Sequence, residues 1–266
     1  MKKEKTITVR RQKIQPDRTK KRLCFFVFLT ALLLLTVVFA EQICPYDPNA
    51  QDTGAALLPP GAGHLAGTDR FGRDMLSRIL VGLKTSVTST LILVVVVTVT
   101  GSILGLICGY FGGIADTVIM RVSDICLAFP GLVFAMAIAA LLNGGISNAV
   151  LALALISWPK YARIARSQTL TVKNTNYMAA SQLAGCTAAQ MIWRHILPNI
   201  AGPILVTSML DIGTMMMELA GLSFLGLGAQ PPTAELGNMM SGGRSMLQTY
   251  PWAVSYTHLT LPTNSL

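Results

Sequence analysis

Charge is what this chain has least of. Asp, Glu, Lys and Arg make up 12% of its 266 residues, against about 25% in an ordinary soluble domain. With 52% hydrophobic residues and a mean hydropathy of +0.55, that shortage excludes a soluble globular protein. Acids are scarcer still, with 12 against 21 Lys and Arg, and none lies between Asp124 and Asp211. Cys24, Cys44, Cys108, Cys126 and Cys186 are scattered, without a CxxC pair or a nearby His. That excludes a zinc or dithiol site and leaves small apolar packing residues. HExxH and GxSxG are absent. VGLKTS at 81–86 is no P-loop, because Leu83 separates Gly82 from Lys84 and no earlier Gly sits at the required spacing. The chain therefore has no catalytic constellation, no metal set and no nucleotide chemistry of its own.

What it has is apolar runs. Residues 23–40 form the first, just long enough to span a bilayer. Ten of the 21 Lys and Arg precede it in residues 1–22. With a span directly behind them they read as a cytoplasmic anchor beside anionic lipid, not as an arm for nucleic acid. A 22-residue basic stretch is too long for a secretory n-region, so the first span is expected to stay uncleaved. Residues 41–84 are polar and rich in Pro and Gly, and Glu41, Asp47, Asp52, Asp69 and Asp74 offset Arg70, Arg73, Arg78 and Lys84. This segment lacks positive bias and is expected outside.

Further spans are expected at about 85–111, 122–142, 149–162 and 200–227, with 112–121 a short link and NGGISN a turn. Trp158 and Tyr161 mark an interface at the end of the fourth. Gly101, Gly105 and Gly109 recur at every fourth position, a small-residue stripe that lets another helix approach. Alternation from a cytoplasmic N-terminus puts both of the most basic segments, 1–22 and 160–199, inside. The expected fold is all-α, a polytopic membrane bundle with five spans, the first at 23–40 and four in the transmembrane region 85–253. A sixth span is expected after Tyr250-Pro251-Trp252, yet residues 254–266, VSYTHLTLPTNSL, are polar. VSYTHLTLPT resembles one reading frame of a transposon adaptor used in sequencing libraries. The expectation is a foreign tail in place of a lost last span.

The basic segment 163–199 is too polar to cross a membrane. Asn176 to Leu183 is expected to be a short helix closed by Gly185. Thr187 is expected to cap a second helix through His195, and Pro198 to sit in the first turn of the fifth span. A short helix at a membrane exit can plug into a groove of a soluble partner, or merely connect two spans.

YMAASQLAGCTAAQMIWRHILPN resembles the coupling motif of binding-protein-dependent ABC importer permeases. That motif reads Glu-Ala-Ala, three residues, Gly, nine residues, Ile, one residue, Leu-Pro. Ala180, Gly185, Leu197 and Pro198 match; Ala179, Ser181 and His195 depart; and Arg194 falls in the run IWRHILPN. GTDRFGRDMLSRIL, DICLAFP and SFLGLGAQPPTAELGNMM are similar to the dipeptide, oligopeptide and nickel branch, over about residues 40–253. The resemblance implies a multi-pass inner-membrane subunit that binds no cofactor. Its partners would be a second homologous permease, two ATPases that carry ATP and Mg, and an extracytoplasmic binding protein. LDIGTMMMELAGLSFLGLG leans the cargo towards nickel over a di- or oligopeptide. A secondary transporter or channel working without ATP is the alternative.

Three acids fall in or near spans: Asp124, Asp211 and Glu218. Each would cost about 2.5–3.5 kcal/mol ionised at mid-membrane. Asp211 and Glu218 are seven apart and share a helix face. They are candidates for the translocation path, against the plainer reading that they are satisfied by a partner or by backbone. Met209, Met215, Met216 and Met217 point to different faces and read as packing. His64 and His195 read as surface and coupling-segment residues, not metal ligands.

Overall fold

The computed structural model describes residues 16–253, with side chains from residue 20. The expected tail at 254–266 and the basic residues before Pro16 lie outside them. The described chain is helical, with one isolated bridge between Thr68 and Asp74. α1 (Pro16–Val38) runs into the short α2 (Ala40–Ile43). An irregular segment follows, as its Pro and Gly content requires. α3 (Met75–Phe111) is one helix of 37 residues. It begins ten positions before the expected span, because Asp74 caps it by accepting the Ser77 N–H at 2.8 Å.

Gly112, at φ +66°, closes α3, and α4 (Gly113–Ala128) starts at once. The expected link at 112–121 is therefore helix. The expected third span is two helices, not one. α4 and α5 (Gly131–Leu141) meet at 94° across Phe129 and Pro130. Pro130 lacks the N–H that would continue α4, and it forces Phe129 into extended backbone (φ −103°, ψ 149°).

α6 (Ile146–Lys173) is the largest departure. The fourth span was expected at about 149–162. The helix around it has 28 residues and carries on through Lys160, Arg163 and Arg166 into the basic segment. α7 (Asn176–Leu183) has the expected bounds. α8 (Ala188–Gln190) passes through a π turn at Met191–Ile196 into α9 (Leu197–Phe224) without a break. A wide turn suits Pro198, which has no N–H for the carbonyl four residues back. α10 (Leu236–Gly243) follows, and a 3-10 turn at Arg244–Met246 continues from it.

By length and composition, α1, α3 and the continuous 188–224 helix can each cross a membrane. The bent α4–α5 pair makes a fourth candidate if it is one span. α6 misses that standard because of its cations, although its length reaches about 40 Å at 1.5 Å per residue.

α3 and α6 pair along most of their length, and α9 lies against both. The glycine stripe sets their distance. A Cβ on Gly101 would stand 2.6 Å from the Trp158 carbonyl oxygen, and one on Gly109 2.7 Å from the Thr169 Cβ. On Gly105 it would overlap the Ala162 carbonyl oxygen. The core around this seam includes Leu93, Val97, Leu153, Tyr161, Ile200 and Leu219. α1 packs chiefly on α2 and α3, and its Leu and Phe side chains stay exposed, as expected of a helix whose solvent is lipid.

Candidate functional site

Lys160, Arg163 and Arg166 step along α6 at intervals of three, which turns the helix face by about 60° each time. Each reaches an acid about 40 to 50 positions away. Lys160 donates to both oxygens of Asp211 at 2.7 Å. Arg163 reaches Asp124 at 2.7 Å and the Ser123 hydroxyl at 3.2 Å. Arg166 binds Asp116 with two parallel bonds at 2.5 and 2.6 Å, the bidentate form that fixes geometry as well as charge. Expected only as part of a basic cytoplasmic segment, these three cations tie α6 to α4 and α9. Two of the three candidate acids have partners within the chain: Asp124 in Arg163, and Asp211 in Lys160 and the Tyr161 hydroxyl at 2.9 Å. Asp124 lies apart, exposed at the α4–α6 contact.

Asp211 and Glu218 do come together. They line one cleft of about 190 Å³ with Lys160, Ser157 and Thr214, under the α4–α5 break at Phe129 and Gly131. Lys160 and Tyr161 were not among the residues expected here. Their signal was a charged and a phenolic side chain directly after an apolar run, which reads equally well as an interface.

The segment 176–199 builds a second candidate. α7 ends in a Schellman turn: the Gly185 N–H donates to the Gln182 carbonyl at 3.0 Å, and Cys186 to Ser181 at 3.1 Å. Gly185 sits at φ +85°, which glycine adopts without strain. Thr187 and Gln190 then form a reciprocal capping box. Met178 buries α7 on the bundle, and the Asn199 side-chain amide donates to the Tyr177 hydroxyl oxygen at 3.3 Å. The outward side is bare: Leu183 is 90% and Trp193 70% exposed. Ala179 and Ala180 are exposed beside them, as are Gly185, Arg194 and Pro198, while Ser181, His195 and Leu197 are half-buried. Ser181 turns its hydroxyl back to the Tyr177 carbonyl at 2.9 Å. The Tyr177 and His195 rings stand 6.1 Å apart.

At the other end, a buried polar cluster holds residues 44–78 to the chain after α9. Arg78 donates to the Pro48 carbonyl at 2.9 Å and the Pro232 carbonyl at 3.4 Å. His64 lies 2.9 Å from Asp74. Glu235, fully buried, accepts from the Ser86 hydroxyl at 2.9 Å and caps α10 through the Asn238 N–H. Sequence reasoning missed Glu235, because nothing local distinguishes it from a loop acid. Burial pushes the Cys44 thiol pKa up; the Ser77 hydrogen bond pulls it back, while Asp74 and Glu41 push further up.

Residues 101–264 match the family described as the inner membrane component of binding-protein-dependent transport systems. The chain belongs to this family. It is a multi-pass inner-membrane permease component of an ABC importer and not itself an enzyme, and such a system implies an ATPase, a paired permease and a binding protein. It is 42% identical over 228 residues to the probable D,D-dipeptide transport system permease protein DdpC of Escherichia coli K12, covering 86% of this permease and 76% of that one. It is 39% identical over 241 residues to the dipeptide transport system permease protein DppC of Haemophilus influenzae, covering 88% and 81%. It is 35% identical over 235 residues to the nickel transport system permease protein NikC of Escherichia coli K12, covering 88% and 85%.

Proposed function

We propose that this permease forms half of a translocation path for a short peptide and takes its drive through segment 163–199. The bare face of α7 and the following turn carries the reading. Leu183 and Trp193 are large, apolar and exposed on a unit locked by a Schellman turn and a capping box. Such a knob suits a groove on a cytoplasmic ATPase, with Ala179, Ala180, Ser181 and Gly185 on the docking helix and its turn. Arg194, His195, Leu197 and Pro198 form the return into α9. Because α9 continues through the π turn without a break, displacement of the knob passes directly to Asp211 and Glu218. ATP and Mg belong to two such ATPases, and a loaded binding protein delivers cargo on the opposite side. ATP and that protein must each favour one state of the permease pair.

On this reading the N-terminus is cytoplasmic, residues 41–84 face outward, and the full permease has six spans. Cargo of the dipeptide class follows from the higher identity to the two dipeptide-type permeases. Nickel is the second reading, favoured by the run LDIGTMMM in α9.

The test is uptake of radiolabelled alanyl-alanine and of nickel by a host lacking both systems. It would express this chain with its paired permease, ATPases and binding protein. ATP-dependent uptake of the peptide is the expected result. Uptake that persists without the ATPases would mean a channel or secondary transporter instead.

A further inference from the structure

Charge in the bundle does not close on itself. Between residues 112 and 227 the chain holds four acids: Asp116, Asp124, Asp211 and Glu218. Arg166, Arg163 and Lys160 neutralise the first three. Glu218 has no hydrogen bond and no ion pair among the described residues. Lys160, the nearest cation in its cleft, has committed its ammonium to both oxygens of Asp211 at 2.7 Å. Glu218 is half-buried, two turns along α9 from Asp211, and lines the cleft under the α4–α5 break. An uncompensated carboxylate in a membrane helix costs about 2.5–3.5 kcal/mol and marks a site whose partner comes from elsewhere.

We propose that this partner is the ammonium group of the passing cargo, and that Glu218 is a cargo-contacting, specificity-determining residue. The inference rests on the peptide-permease reading. The donor set chooses between cations. An ammonium offers three N–H donors, and the cleft supplies one free carboxylate with the hydroxyls of Ser157 and Thr214. A bare divalent metal would want several ligands converging, and no group of three or more His, Cys, Asp or Glu does so among the described residues. The α-amino group of a short peptide is largely protonated at neutral pH, with a pKa of about 7.7–8.0. The paired Lys160 and Asp211 are net neutral, so Glu218 alone sets the sign of the cleft. That sign passes a free amino terminus and disfavours an acylated one.

The experiment uses the complete importer in proteoliposomes, with its loaded binding protein, as wild type, Glu218→Gln and Glu218→Asp. Alanyl-alanine uptake and binding-protein-stimulated ATPase are read together. Glu218→Gln is expected to lower uptake about tenfold, equivalent to about 1.4 kcal/mol, and to lower uptake per ATP hydrolysed with it. Glu218→Asp is expected to keep most of the uptake. A second measurement needs no variant to fold: labelling of wild-type Glu218 by dicyclohexylcarbodiimide, located by peptide mapping. Alanyl-alanine should slow it, and N-acetyl-alanyl-alanine and nickel chloride should not. Full uptake by Glu218→Gln, or equal protection by all three solutes, overturns the inference. So does loss of the second permease from Glu218→Gln, which would put the counter-charge on that subunit. A wild-type importer carrying nickel or neither probe removes the peptide reading and the inference together. A wild type that carries alanyl-alanine beside an equally active Glu218→Gln removes the inference alone.

Discussion

Lys160 and Asp211 hold each other across 51 positions of sequence, one ammonium on two carboxylate oxygens at 2.7 Å. The pair joins α6 to α9 at the edge of the cleft. Asp211 is buried, but the Lys160 side chain is 52% exposed, so solvent screens part of the interaction. Asp211→Ala removes the acceptor of Lys160 and of the Tyr161 hydroxyl together. It is expected to cost about 1–3 kcal/mol, below the 3–5 typical of a fully buried pair. Thermal unfolding in detergent measures it. In a double-mutant cycle with Lys160→Ala the two losses should fall short of additive; strict additivity would mean the pair contributes nothing.

The seam between α3 and α6 makes a sharper contrast. Gly105→Val drives a side chain into the Ala162 carbonyl, whereas Gly213 on α9 has nothing within 4 Å of its added Cβ. Overpacking of this kind costs about 1–3 kcal/mol or more. Gly105→Val should lower the melting temperature and the yield of folded protein, and Gly213→Ala should change neither. Equal tolerance at the two sites would argue against close packing at the seam.

Gly185 tests the turn that closes the docking helix. At φ +85° an alanine is strained, by roughly 1–2 kcal/mol. Gly185→Ala should weaken co-purification of the ATPase and its stimulation, with little change in the melting temperature of the bundle. Trp193→Ala removes an exposed apolar anchor and should do the same, at about 1–3 kcal/mol in affinity if it is an interface hot spot. Undiminished ATPase capture by both variants would move the docking site elsewhere.

Arg78 clamps residues 48 and 232 through their carbonyls. Arg78→Ala leaves those carbonyls without their donor and should loosen the segment containing Cys44. Burial keeps that thiol protonated to higher pH than a free one, so it should react slowly with maleimide in the wild type. In a Cys24→Ser background, labelling of Cys44 at neutral pH is expected to quicken about tenfold on Arg78→Ala, the thiolate being the nucleophile. Raising the pH should narrow the gap, because the wild-type thiol then ionises too. An unchanged rate would mean that Pro48 and Pro232 are held by other contacts.

Much of this molecule was written in local patterns. The apolar runs that announce membrane helices, the short helix Asn176–Leu183, the Gly185 stop and the Thr187 cap all depend on residues within a few positions of one another. Such features follow from helix periodicity and from where a backbone N–H or carbonyl finds its nearest partner. The same patterns carried the family. What needed the tertiary structure was every relation across the bundle. Hydropathy reads how apolar a run is, not which side of the helix faces which neighbour. It therefore counted Lys160, Arg163 and Arg166 only as positive charge in a cytoplasmic segment and gave them no partners. Each acid that answers them lies about 40 to 50 positions away, on a helix whose rotation only packing sets. The right angle at Phe129 and Pro130 has a local cause, but the cleft beneath it exists only because α6 and α9 bring Lys160, Asp211 and Glu218 to its floor.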